Sequence, residues 1–439
     1  MEKLPPKQKI NRNATREELL KLDKNDLVEK IIQLQAHNTQ LKNIINKTTP
    51  CDGQKQKKVD QREFMFEKCH YRHVLLRVSY LGWEYQGLAV QENTTQTVEY
   101  HLFEALKRAC LIQSRETSNY HRCGRTDKGV SSFGQVISIC LRSKHSPEEQ
   151  NKPSCIRNEI PYSKLLNRLL PKHIKVIAWM PIPQDRPDFS ARFDCKKRSY
   201  KYYFPHSGLN LPAMLEACRH MIGSHDFRHL CKMDVGNGVL EFIRRIMNVD
   251  IVPVDVNDVD KPTSMYYLLI EGNAFLWHQI RCIMGVLLLI GEEKERPDVV
   301  LELLDVEKNR GKPQYSMASD LPLNLFKCAY EIEDTNRWVY EREALITLIS
   351  DLRTEWTMHA VKTTMIQDYI RELEKVPLAS ETEDRANDEC EQDEIASYAA
   401  CLLQGVKPKN YTPLMKRPTC STLHEKIAHY KKRRKIITS

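Results

Sequence analysis

The chain has 439 residues, enough for two or three domains that each bury a core. Its composition, 41% hydrophobic and 28% charged, is that of a globular protein with polar extensions, and its net charge of +9 suits a polyanionic partner without requiring one. The longest uncharged apolar run, Cys282–Gly291, is too short to span a bilayer, and the start MEKLPPKQKI lacks the apolar core of a secretory signal. Fourteen cysteines occur without a CxxC pair. Cys69, His70 and His73 have no second cluster at zinc-finger spacing, so a reducing compartment and no metal site are expected.

In chain order, residues 15–47 are expected to be helical. Thr15 and Glu18 fit a capping box. Leu20, Leu27, Leu34 and Leu41 recur every seven residues, with Ile31, Asn38 and Ile45 offset by four, so the segment reads either as a short coiled coil or as an amphipathic helix packed on its own domain. A polar linker around Cys51–Gln61 follows. Strands are expected at HVLLRVSYLG (73–82), GQVISICLRS (134–143), KVIAWMPIP (175–183), RSYKYYFP (198–205), NVDIVPVDV (248–256) and MYYLLIEG (265–272). Helical spacing marks residues 97–111, 163–170, 212–222 and 275–291. Residues 380–396 are strongly acidic and 431–435 read KKRRK, so the end is expected to be an acidic disordered segment before a basic tail. That tail suits nuclear import, RNA contact or simple solvation. The result is an α+β chain: an amino-terminal extension (1–62), two catalytic halves (63–185 and 186–350) and a carboxy-terminal extension (351–439).

Three segments carry candidate chemistry. GRTDKG (Gly124–Gly129) is a polar, glycine-bracketed turn between a helix and a strand. The 275–291 helix is apolar nearly all round yet contains Arg281, with His278 one turn earlier. A buried guanidinium needs a carboxylate or an anionic ligand, either in a structural ion pair or to hold a reactive carboxylate. In strand 198–204, Arg198, Tyr200, Tyr202 and Phe204 share one face, which could stack on a base and bind phosphate or simply fill a core.

Together and in this order, these segments resemble the TruA-type family of tRNA pseudouridine synthases. GRTDKGV matches the signature loop, with its aspartate at Asp127 and its basic residue at Arg125. LLNRLLP (165–171) and DFSARFDCKKRSYKYYF (188–204) resemble the second block, whose base-stacking tyrosine falls at Tyr200. NAFLWHQIRCIMG (273–285) resembles the third, with its arginine at Arg281, and GSHDF (223–227) matches an element between them. The similarity covers residues 72–340. SYLGWEYQGLAVQ departs from the bacterial first strand at Leu81 and Val90 and, with both extensions, is most similar to the eukaryotic subfamily acting on uridines 38 and 39 of the anticodon stem-loop.

The resemblance implies two ferredoxin-like halves with mixed sheets meeting at a central cleft. It implies a flipped uridine, with Asp127 acting at the sugar as nucleophile or base and with Tyr200 stacking on the uracil. Arg281 and Arg125 would keep Asp127 ionised against the effect of burial. Substrate contacts are expected from Arg198, Tyr202, Lys128, His278 and Asn273, with phosphate contacts from Arg122, Lys196, Lys197 and Lys201. No cofactor or metal is implied, and a homodimer resident in nucleus or cytoplasm is expected. The competing readings are a non-catalytic tRNA-binding chaperone and a scaffold built on the same fold.

Overall fold

The apolar runs of the central region pack into one mixed sheet, seen in a computed structural model that describes residues 64–259, 261–334, 337–376, 397–405 and 410–438. The expected heptad helix, the linker and the acidic segment 380–396 lie outside the described residues. From Met65 onward the chain is one compact unit. Its strands are β1 (His70–Tyr80), β2 (His121–Arg122), β3 (Ser131–Ser143), β4 (Ile174–Pro181), β5 (Cys195–Pro205), β6 (Gly223–Asp226), β7 (Ile243–Pro253), β8 (Met265–Gly272) and β9 (Leu323–Tyr330). They run in the order β4-β1-β3-β9-β5-β8-β7-β6, with β2 added on β3.

β1 shows why the strands are so apolar. Val74, Leu76, Val78 and Tyr80 enter one buried cluster, while Leu75, pointing the other way, enters a second. A strand covered on both faces reads as a continuous hydrophobic run instead of an alternation. The first cluster is closed by helix α1 (Val98–Arg108), whose Thr97 side chain accepts from the Tyr100 amide and whose Leu102, Phe103 and Leu106 point inward.

Short helices α2 (Pro153–Arg157) and α3 (Tyr162–Asn167) follow, then α4 (Leu211–His220), α5 (Gln279–Gly291) and α6 (Val299–Leu304). All thirteen residues of α5 are buried, as an apolar helix without a polar face must be. It begins four residues later than the expected 275, because His278 adopts a left-handed backbone (φ 58°) and ends the preceding loop. Gly285 lets α5 approach the chain closely, since a Cβ there would stand 2.6 Å from the Ser316 carbonyl oxygen.

Among the described residues every ladder is antiparallel except β3 with β9, where Ser131 pairs with Asn324 and Ser132 with Leu325. Parallel pairing aligns the two strand beginnings, so the loops that lead into them lie side by side. Helix α7 (Arg342–Glu374) crosses the expected boundary at 350. The carboxy-terminal end differs from the expected tail. Leu414 is fully buried, the Gln314 amide donates to the Pro418 carbonyl at 3.0 Å, and KKRRK lies within helix α8 (Leu423–Thr438). Apolar Ala399, Leu402 and Leu414 give this segment something to bury, which the composition of the acidic stretch before it obscured.

Candidate active site

The loop between β2 and β3 is pinned by its backbone at closely spaced points. Gln135 donates to the Gly124 carbonyl at 2.9 Å, and the Thr126 carbonyl accepts from the Leu88 amide at 3.1 Å. The Gly129 amide donates to Tyr85 at 3.1 Å, and the Tyr80 and Thr126 hydroxyls meet at 2.7 Å. Gly129 has φ 76°, a conformation that favours glycine. A loop held in this way fixes the direction of the Asp127 side chain before any ligand arrives.

The Asp127 carboxylate is 34% exposed, open enough to be reached. Trp277 Nε1 donates to Oδ1 at 3.2 Å, and His278 Nε2 lies 3.5 Å from Oδ2. Both partners come from the turn that enters α5, so the left-handed residue His278 is what aims them. Lys232 donates its amide to the Trp277 carbonyl at 2.9 Å and carries its ammonium 4.3 Å from the indole centroid. Burial pushes the Asp127 pKa up, the nearby Asp320 adds to the rise, and Arg281, the Trp277 N–H and Lys232 oppose it. Burial beside Arg281 and Lys232 lowers His278 to about 4, so the imidazole is neutral at physiological pH.

Arg281 is buried in α5 as expected, but its direct partners are different. Its Nε donates to the Ala318 carbonyl at 2.9 Å and an Nη to Gln404 at 2.9 Å, while Asp320 lies at 4.0 Å. Asp127 therefore receives the field of Arg281 rather than its hydrogen bonds. Asp320, just before β9, and Gln404, from the carboxy-terminal segment, take the positions next to the guanidinium.

The other expected residues divide by location. Arg125 and Lys128 flank Asp127 and are exposed. Asn273 is exposed, and its Oδ1 accepts from the Ala274 amide at 2.8 Å. Tyr200 is nearly buried and meets Phe275 edge-on, with ring centroids 5.2 Å apart. Tyr202 is fully buried on β5, so in this state it has no surface for a substrate. Arg198, expected to bind phosphate, is also buried and donates to the carbonyls of Cys123, Arg192 and Asn273. Strand faces alone could not separate a base-binding face from a core face here. With three of its N–H groups donating to carbonyls, Arg198 ties the root of the Asp127 loop to the end of β8.

Trp277, Asp320, Gln404 and Lys232 were not singled out from sequence. Trp277 had a signal, a polarisable N–H in a segment next to the Arg281 helix, but treating 275–291 as unbroken helix placed it in the core.

A family model described as tRNA pseudouridine synthase matches residues 217–331. The tRNA pseudouridine(38/39) synthase of Bos taurus is 43% identical over 392 residues, covering 86% of this chain and 80% of its own. That of Homo sapiens is 41% identical over 443 residues, covering 97% and 89%. The corresponding protein of Saccharomyces cerevisiae is 39% identical over 323 residues, 70% of each chain. With identity of this extent and a pinned GRTDKG loop presenting its carboxylate, the chain belongs to the TruA-type tRNA pseudouridine synthase family.

Proposed function

We propose that the chain isomerises uridine to pseudouridine in the anticodon stem-loop of tRNA, at the positions 38 and 39 for which its mammalian and yeast relatives are named. The carrying observation is the partly exposed Asp127 carboxylate, held between Trp277 and His278 on a loop fixed by its backbone. The reaction breaks the C1′–N1 bond, turns the uracil and joins its C5 to C1′, with the C5 proton released to solvent. Asp127 acts at the ribose, either by attacking C1′ or by removing a ribose proton. Both routes need the ionised carboxylate, which Arg281, the Trp277 N–H and Lys232 favour. Extruding the uridine costs roughly a few kcal/mol. Stacking on Tyr200 offsets part of this once the ring is uncovered. Exposed Arg125, Lys128 and Lys232 beside the loop suit the phosphates of the flipped nucleotide.

The sheet serves as two halves that meet at the β3–β9 junction, with the substrate cleft above it. The chain works as a homodimer, a reading supported by the heptads at 20–45 and by α7, whose Trp356 and Leu373 are each 71% exposed. Light scattering that gave a monomer at micromolar concentration would sink the dimer. The basic run 431–435 supports residence in the nucleus as well as the cytoplasm.

The test of activity uses an anticodon stem-loop tRNA tritiated at uracil C5. Wild type should release tritium, and Asp127→Ala should bind the tRNA without releasing it. Binding without release by both proteins would favour a non-catalytic tRNA-binding role.

A further inference from the structure

Away from the Asp127 carboxylate, three cysteines from distant parts of the chain converge inside the sheet. Cys123 follows β2, Cys195 opens β5 and Cys328 lies on β9, and all three are buried. Their sulfur atoms all lie within 4.8 Å of one another. A metal with thiolate bonds of about 2.3 Å sets its sulfurs about 3.8 Å apart in a tetrahedral site and about 4.0 Å apart in a trigonal one. Side-chain shifts of under about 1 Å would therefore close the trio around an ion. Packing alone asks only that each thiol sit among apolar neighbours. It does not ask that three donors face one another.

A second observation points the same way. The Arg198 guanidinium is buried beside this trio and donates to the carbonyls of Cys123, Arg192 and Asn273. None of those partners carries charge, and the ionisable groups that weigh most on Arg198 are Cys123, Cys195, Tyr200 and Cys328. A buried cation without a counter-charge is costly. Three thiolates around a divalent ion carry a net charge of minus one, which Arg198 would balance.

We propose that Cys123, Cys195 and Cys328 bind one thiophilic d10 metal ion, zinc(II) or copper(I), as a buried three-thiolate structural site. Soft thiolates select ions of this class. Binding releases the three thiol protons and involves no electron transfer. Copper(I) is complete with three sulfurs. Zinc takes a fourth ligand, for which the Tyr330 hydroxyl is at hand, two residues beyond Cys328 on β9 and now donating to the Ala191 carbonyl at 2.7 Å. The ion would lock the root of the Asp127 loop to β5 and β9, so its role is positional.

The full chain, purified in reductant without a metal-affinity step, should contain stoichiometric zinc or copper by mass spectrometry of the elements, and which metal appears identifies the ion. X-ray absorption of that protein should count three sulfur neighbours. Cys328→Ser should lose the metal and melt at lower temperature, whereas a chain with Cys69, Cys401 and Cys420 all changed to serine should keep it. Protein isolated without metal would be titrated with zinc and with copper(I) against a competing chelator. No stoichiometric uptake overturns the proposal and leaves the trio as packed thiols. Full retention by a folded Cys328→Ser, or fewer than three sulfurs around the ion in wild type, overturns it as well. The wild-type sulfur count decides the matter even if the variant fails to fold.

Discussion

Replacing Trp277 by Phe isolates one hydrogen bond at the Asp127 carboxylate. Phenylalanine keeps an aromatic face for the Lys232 ammonium, now 4.3 Å from the ring, and removes only the N–H that reaches Asp127 Oδ1 at 3.2 Å. A hydrogen bond to a charged group contributes about 1.5–3 kcal/mol when well buried. Asp127 is 34% exposed and the bond is at the long end of its range, so about half that, roughly 0.7–1.5 kcal/mol, is reasonable here. The bond favours the ionised form, so its loss raises a pKa that burial has already pushed up. At about 1.4 kcal/mol per pH unit, the acid limb of single-turnover tritium release should move up by about 0.5–1 unit. Activity above the limb should fall by less than about tenfold, since the loop itself is untouched. Single-turnover conditions keep product release from hiding the limb. An acid limb that stays at the wild-type position would refute the reasoning, because it would mean that the bond is absent when the carboxylate titrates.

Asp320→Asn tests the opposite sign. It removes a negative charge that raises the Asp127 pKa and frees more of the Arg281 field, so the acid limb should move down in the same assay. Gly129→Ala adds a Cβ 2.6 Å from Asp320 Oδ2 at a backbone φ of 76° and should cost about 1–3 kcal/mol in urea unfolding, of which about 1–2 is backbone strain. Arg281→Met removes the buried charge and leaves Asp320 and Gln404 without their cation. Asp320 is partly exposed, so a loss of about 2–4 kcal/mol is expected by denaturant titration, below the range for a fully buried pair. The acid limb of whatever protein folds should rise, and Arg281→Lys should recover part of both effects.

The strands were legible because two-sided burial leaves long runs of β-branched and aromatic residues, and the GRTDKG turn was legible because its residue types suit a fixed loop, although it follows the short strand β2 and not a helix. The interruption at His278 was not. Nothing in FLWHQIRCIMG breaks helical periodicity, and the left-handed residue there is held by tertiary contacts. The partners of Arg281 were hidden for a different reason. Sequence spacing could show that a buried guanidinium needs a carboxylate, but not that β9 would insert between β3 and β5 and carry Asp320 to it. Strands from before residue 185 all lie on one side of the β3–β9 pair and strands from after it on the other. The same insertion brought Cys328 to Cys123 and Cys195, a cluster that a search for closely spaced ligands could not find.

The sharing of Arg281 explains how Asp127 is tuned. A carboxylate in direct bidentate contact with a guanidinium would be fully ionised but weakly basic and a poor nucleophile. Here the hydrogen bonds of Arg281 go to Ala318 and Gln404, with Asp320 at 4.0 Å, and Asp127 receives its field at a distance. Burial and Asp320 then leave the Asp127 pKa above that of a carboxylate in water. A raised pKa makes the ionised carboxylate more basic, which suits the proposed attack at C1′ and proton removal alike. The tuning depends on the single parallel pair in the sheet, because only β3 beside β9 sets the Asp127 and Asp320 loops next to each other above the buried arginine of α5.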